Sequence, residues 1–179
     1  MRRIVLLACV LVAMFVIQGC TAGEKAGSSL SVRIVPDSTD DKGSRTINLS
    51  LPKQHFYVVI TNISDKPVRL WREWSSWGYY TLSFVVTDDK GKMKVVKKGM
   101  MAWTKNYPDW TVLTSGDHMV FEVSFDLETW PNAPIPEKDK SREVKMKAEF
   151  EIPEDKETKE YQVWTGKVSS PEDKYVIYK

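Results

Sequence analysis

Residues 143–152 alternate without a break. Val144, Met146, Ala148, Phe150 and Ile152 are apolar, and Glu143, Lys145, Lys147, Glu149 and Glu151 are charged. Successive side chains of a strand point to opposite faces, whereas a helix would scatter these apolar residues around its circumference. The segment therefore predicts a strand with one face on a core and one in water, the habit of antiparallel sheets. Residues 118–127 repeat the pattern: Met119, Phe121, Val123, Phe125 and Leu127 alternate with His118, Val120, Glu122, Ser124 and Asp126. Less regular strands are expected at 30–35, 54–61, 67–71, 77–87, 92–97, 161–168 and 175–178, and Asp88-Asp89-Lys90-Gly91 supplies a tight turn. No long segment after residue 29 carries a 3.6-residue period with caps. Eight or nine short strands between turn signals predict an all-β fold, an antiparallel β-sandwich spanning 30–179.

The segment before the strands is of another kind. Arg2 and Arg3 precede 14 apolar residues, 4–17. That run is short of the roughly 20 residues a membrane-spanning helix needs and suits a signal peptide, here 1–19. It ends in Ile17-Gln18-Gly19-Cys20, which resembles the lipobox of bacterial lipoproteins, with Gln18 where a small or aliphatic residue is more common. The resemblance implies cleavage after Gly19, a diacylglyceryl group on the Cys20 thiol and an acylated amine, with palmitate as the expected chain. The partner it implies is thus the membrane, reached through the lipid on Cys20. Residues 20–29, small and polar, read as the lipidated cysteine and a flexible tether. In a Gram-negative host, Thr21 after the cysteine would direct the protein to the outer membrane; otherwise the outer face of the cell membrane is expected.

Composition fits an exported domain. The chain of 179 residues carries 26 Lys and Arg against 24 Asp and Glu. Arg2 and Arg3 are the whole excess, so the mature chain is balanced, which argues against a nucleic-acid partner. The two cysteines are Cys9 and Cys20. One leaves with the signal peptide and the other takes lipid, so neither a disulfide nor a thiolate site is expected.

A second resemblance concerns the fold. Residues 56–70 run Phe-Tyr-Val-Val-Ile-Thr-Asn-Ile-Ser-Asp-Lys-Pro-Val-Arg-Leu. They look like the early strand pair of bacterial immunoglobulin-like domains, where an apolar strand ends in Asn and Pro-Val opens the next. Leu113-Thr-Ser-Gly116-Asp117 is similar to the Leu-x-Pro-Gly-Glu turn of those domains, with Ser115 in place of Pro. Trp164-Thr-Gly-Lys167 is similar to a stretch in other bacterial lipoproteins, from which no function follows. The expected fold is thus an immunoglobulin-like β-sandwich, and fold alone does not give function.

Catalytic motifs are lacking. His55 and His118 lie in no nucleophile elbow or metalloprotease helix, and no phosphate-binding loop is present. No catalytic residue, metal ligand or cofactor is assigned. His118-Met119 and Met100-Met101 raise a copper-binding alternative, since thioethers suit Cu(I). On a strand, however, His118 and Met119 point to opposite faces, and Met119 and Met146 suit a core. Calcium at Asp88-Asp89 or at 154–157 is set aside because lysines interleave both.

Tryptophan is the anomaly: the sequence has seven. Trp71, Trp74 and Trp77 are three apart, which fits neither face of a strand, and Trp103, Tyr107 and Trp110 fall in another non-periodic stretch. Clustered loops at one end of a sandwich are where such folds bind, and exposed Trp and Tyr stack on sugars or anchor protein partners. The competing reading is that these rings cap the core. The expected function is a membrane-anchored, non-catalytic binding or adaptor module. Its candidate residues are Trp71, Trp74, Trp77, Trp103, Tyr107 and Trp110, and its ligand is a glycan or an envelope protein. A protease-inhibitor-like module is the alternative; an envelope enzyme or a copper-binding protein ranks below it.

Overall fold

The computed structural model describes residues 28–50, 55–104 and 106–179. The signal peptide, Cys20 and the tether as far as residue 27 lie outside the described residues. Twelve strands and two short helices follow. Leu30–Val35 (β1), Phe56–Asn62 (β4) and His118–Val123 (β9) form an antiparallel three-stranded sheet in the order β1-β4-β9. Ser38–Thr39 (β2), Arg45–Asn48 (β3), Leu82–Thr87 (β6), Met93–Lys97 (β7), Ser141–Ile152 (β10) and Asp173–Tyr178 (β12) form the larger sheet, ordered β2-β3-β12-β10-β6-β7. Gly166–Ser169 (β11) joins the far end of β10. Val68–Trp71 (β5) and Trp110–Leu113 (β8) make a separate two-stranded ribbon. This is an all-β fold of open sheets, consistent with a β-sandwich.

The alternation seen in the sequence decides the layers. Val144, Met146, Ala148, Phe150 and Ile152 of β10 are all at most 2% exposed. Opposite them, Phe56, Val58 and Ile60 of β4 are fully buried, as are the paired Phe121 and Val123 of β9. Aromatic rings join the layers: Phe56 meets Phe84 at 5.7 Å between centroids, and Phe121 meets Phe150 at 5.9 Å. Phe125 and Trp130 complete this herringbone, packing edge-on against Phe84 at 5.3 Å each. Trp130 opens the Pro-rich stretch Trp130-Pro-Asn-Ala-Pro-Ile-Pro136, and its ring folds into the core, where it is 2% exposed.

β10 is the axis of the large sheet. One edge pairs with β6; the other pairs with β12 over residues 141–146 and with β11 over 149–152. Ser170 fills the gap between these partners. Its buried hydroxyl accepts from the Ala148 N–H at 2.9 Å and donates to the Pro171 carbonyl, while its own N–H donates to the Ala148 carbonyl. The ladder thus continues through a side chain where the backbone turns away.

Three features differ from expectation. β2, β3 and β8 bring the strands to twelve. β3 runs parallel to β12, because these strands lie far apart in the chain and no hairpin fixes their direction. Strands expected at 77–87 and 161–168 are shorter, since each contains a non-extended turn. Ser76–Tyr79 forms a one-turn helix (α1), and Gln162 adopts φ 56° after the helix Lys156–Glu160 (α2). α2 itself opens on a capping box between Asp155 and Thr158.

Candidate functional site

The site begins at Asn62, where β4 ends and the chain turns into the ribbon. Asn62 is fully buried, so its amide needs internal partners. Nδ2 donates to the Lys66 and Leu113 carbonyls at 2.8 and 2.9 Å, and Oδ1 accepts from the N–H and hydroxyl of Ser64. Its backbone carbonyl accepts from Gly116 and its N–H donates to Asp117. One side chain therefore ties the turn after β4 to the turn before β9. Asp117 accepts from the hydroxyl and N–H of Thr114, and these bonds hold its carboxyl below the usual carboxylate range.

The ribbon carries the first aromatic group. Trp71 pairs with Trp110 across β5 and β8, their rings 6.3 Å apart. Trp77 at 6.1 Å and Tyr161 at 5.7 Å pack on the same Trp71 ring. Tyr161 reaches Trp110 at 5.0 Å, and the Arg69 guanidinium lies 5.8 Å from the Trp110 ring while donating to the Tyr161 carbonyl. Trp71 is 1% exposed. It belongs to the core and cannot meet a ligand, which corrects its place among the candidate binding residues. Of the rings that cover it, Trp110 and Tyr161 are not near it in sequence. Trp77 and Trp110 are half-buried and packed on the core, so they support a surface rather than form one.

Beyond the ribbon the two segments stay paired. The Arg72 N–H donates to the Asp109 carbonyl at 3.0 Å, and the Arg72 Nε reaches Asp109 Oδ2 at 3.3 Å. The Trp74 and Tyr107 rings then meet at 5.3 Å and 73°. Next, Asn106 accepts from the Ser76 N–H and donates to the Ser76 hydroxyl. Here the aromatic rings face solvent: Trp74 is 46% and Tyr107 60% exposed. A compact turn holds Trp74. Buried Ser75 donates its hydroxyl to the Arg72 carbonyl, and Thr81 donates its own to the Gly78 carbonyl. A Cβ on Gly78 would stand 2.1 Å from the Arg72 carbonyl oxygen, so only glycine fits.

A second group lies beside it. Tyr79 packs edge-on against Tyr80 at 4.9 Å and Trp103 at 5.6 Å. Lys98, its side chain 4% exposed, sits over the Tyr79 ring at 4.4 Å and near Trp130, and pairs with Glu73. Burial, then the neighbouring Tyr80, Glu73 and Asp126, raises the Tyr79 hydroxyl above its ordinary pKa. Trp103 is half-buried, and its Nε1 has no partner among the described residues. Tyr80, Met100 and Met101 are exposed at its margin. Sequence reasoning missed Asp109 and Asn106 as neighbours of Trp74, because pairing beyond the ribbon brings them there.

No family model, curated protein or solved structure matches this chain. The reading of the site therefore rests on its geometry.

The histidines stand apart from this face. His55 Nε2 lies 3.1 Å from Glu122 Oε1, and His118 Nδ1 lies 3.5 Å from the Thr61 hydroxyl. Among the described residues no group of three His, Cys, Asp or Glu gathers to hold a metal, and no helix is long and apolar enough to cross a membrane. Met146 is buried in the core while Met100 is fully exposed, so these thioethers do not converge. Two open grooves lie around Thr39 and the Arg45–Asp173 ion pair, away from the aromatic rings.

Proposed function

We propose that the chain is a bacterial envelope lipoprotein, anchored through lipid on Cys20. Its immunoglobulin-like β-sandwich serves as a non-catalytic binding or adaptor module. The observation that carries this reading is the Trp74–Tyr107 pair. Two large aromatic rings stand about half exposed, Trp74 on a turn fixed by buried Ser75, Gly78 and Thr81 and Tyr107 against it from the segment before β8. Exposed aromatics at ordered positions are characteristic of recognition surfaces, because they offer large contact area at small entropic cost. The immunoglobulin-like assignment is supported by the Asn62-to-Val68 turn, whose Asn62 joins the end of β4 to the Lys66 and Leu113 carbonyls beside the ribbon.

The test uses full-length lipidated protein, wild type against Trp74→Ala/Tyr107→Ala, presented to envelope fractions. Wild type is expected to retain a glycan or protein component that the variant loses while keeping its circular dichroism spectrum. Equal retention by both would remove the binding face. The anchor has its own test: Cys20→Ala should abolish labelling by a radioactive fatty acid and block processing after Gly19.

A further inference from the structure

We propose that the ligand of this face is a carbohydrate, a neutral β-linked pyranose chain laid on Trp74 and abutting Tyr107. The inference rests on the binding-face reading above and narrows its ligand. The two rings stand at 73°, with centroids 5.3 Å apart. They form a corner, one wall for stacking and one to stop sliding. A pyranose whose substituents are equatorial has two flat faces of C–H groups and a rim of hydroxyls. Its faces suit aromatic walls, and its rim needs donors and acceptors close by.

The neighbouring rungs supply that rim. Arg72 uses Nε on the Asp109 carboxylate and the Trp110 carbonyl, which leaves its two Nη groups outside those bonds. Asp109 Oδ1 is held by the Trp110 N–H, which fixes the carboxylate. Asn106 spends one amide hydrogen and one oxygen lone pair on Ser76, and an amide has two of each. Guanidinium, carboxylate and amide thus follow the aromatic corner on the same paired segments.

Charge and size decide against other ligands. Arg72 is neutralised by Asp109 and Lys98 by Glu73. Among the described residues these charges are paired, a poor complement to an acidic or basic peptide or an anionic lipid headgroup. A protein partner of ordinary size covers about 800 Å² per side around a dry apolar centre. Next to Trp74 and Tyr107 stand a guanidinium–carboxylate pair and an amide, an arrangement matched to a ligand whose own surface alternates C–H and O–H.

The experiment titrates full-length protein, in a detergent without a sugar headgroup, with cellotetraose and with chitotetraose. Heat and tryptophan emission are followed together. Binding in the range of about 10 μM to 1 mM is expected for at least one sugar. Trp74→Ala should weaken it at least about tenfold, and Trp74→Phe less, because a smaller ring still stacks. Tyr107→Ala should also weaken it, and the urea midpoints should stay unchanged. No heat and no emission change with either sugar up to about 10 mM would overturn the inference, as would binding indifferent to Trp74→Ala. If neither sugar binds but Trp74→Ala/Tyr107→Ala still loses an envelope protein, the carbohydrate is wrong and the binding face stands. If that variant loses nothing, both readings fail.

Discussion

Trp71 and Trp74 are three residues apart and chemically identical, yet one is 1% and the other 46% exposed. The sequence marks both as irregular because their spacing fits no strand face. It cannot separate them, since Trp110 and Tyr161, which join Trp77 on the Trp71 ring, come from distant parts of the chain. The difference is measurable. Trp71→Ala should cost about 3–5 kcal/mol in urea unfolding, as for other buried tryptophans, while Trp74→Ala should stay within about 0.5 kcal/mol of wild type. Asn62 is the polar counterpart of Trp71. Asn62→Ala strands buried carbonyls and the Ser64 donors, and the expected loss is about 3 kcal/mol. Gly78→Ala should destabilise the turn by overpacking, by about 1–3 kcal/mol or more. It should also weaken ligand binding, because the Arg72 carbonyl must move.

Elements were legible where alternation was clean. β1, β4, β10 and β12 emerge near their expected positions because each has one buried apolar face, while the strand expected over 118–127 ends at Val123. β3 escaped notice because Thr46 and Ile47 are both buried, one on each face, and β2 because Ser38 and Thr39 bury nothing. β8 has a single buried residue, Leu113, and its strand character comes from pairing with β5. The outer face of β10 adds an electrostatic element. Burial pushes the Glu149 carboxyl upward, but ion pairs with Lys167 and Lys147, at 2.7 and 3.1 Å, outweigh it and hold it below the ordinary range. A carboxyl more acidic in the folded than in the unfolded chain contributes stability above its unfolded pKa. That contribution disappears as the pH falls through the folded value. Glu149→Gln should therefore lower stability at neutral pH and flatten the acid side of the stability profile below about pH 4, read by thermal melts across pH.

At the scale of the whole molecule, the all-β class and the two-layer core followed from pattern, whereas the strand order did not. Adjacent strands in the large sheet are mostly distant in sequence: β3 beside β12, β12 beside β10, β10 beside β6. No local turn signal announces such neighbours.

The place of β12 sets the order of assembly. It lies between β3 and β10, with Tyr175 3% exposed and Ile177 fully buried. Until residues 173–178 have been synthesised, β3 has no parallel partner, and the 141–146 stretch of β10 has one edge open to other chains. The contacts that close the sheet span nearly the whole domain, so closure is slow and comes last. A chain truncated before Asp173 should aggregate during refolding at protein concentrations where the intact chain refolds to monomer, by light scattering. Residues 30–172 alone would thus have the makings of the core without the means to seal it.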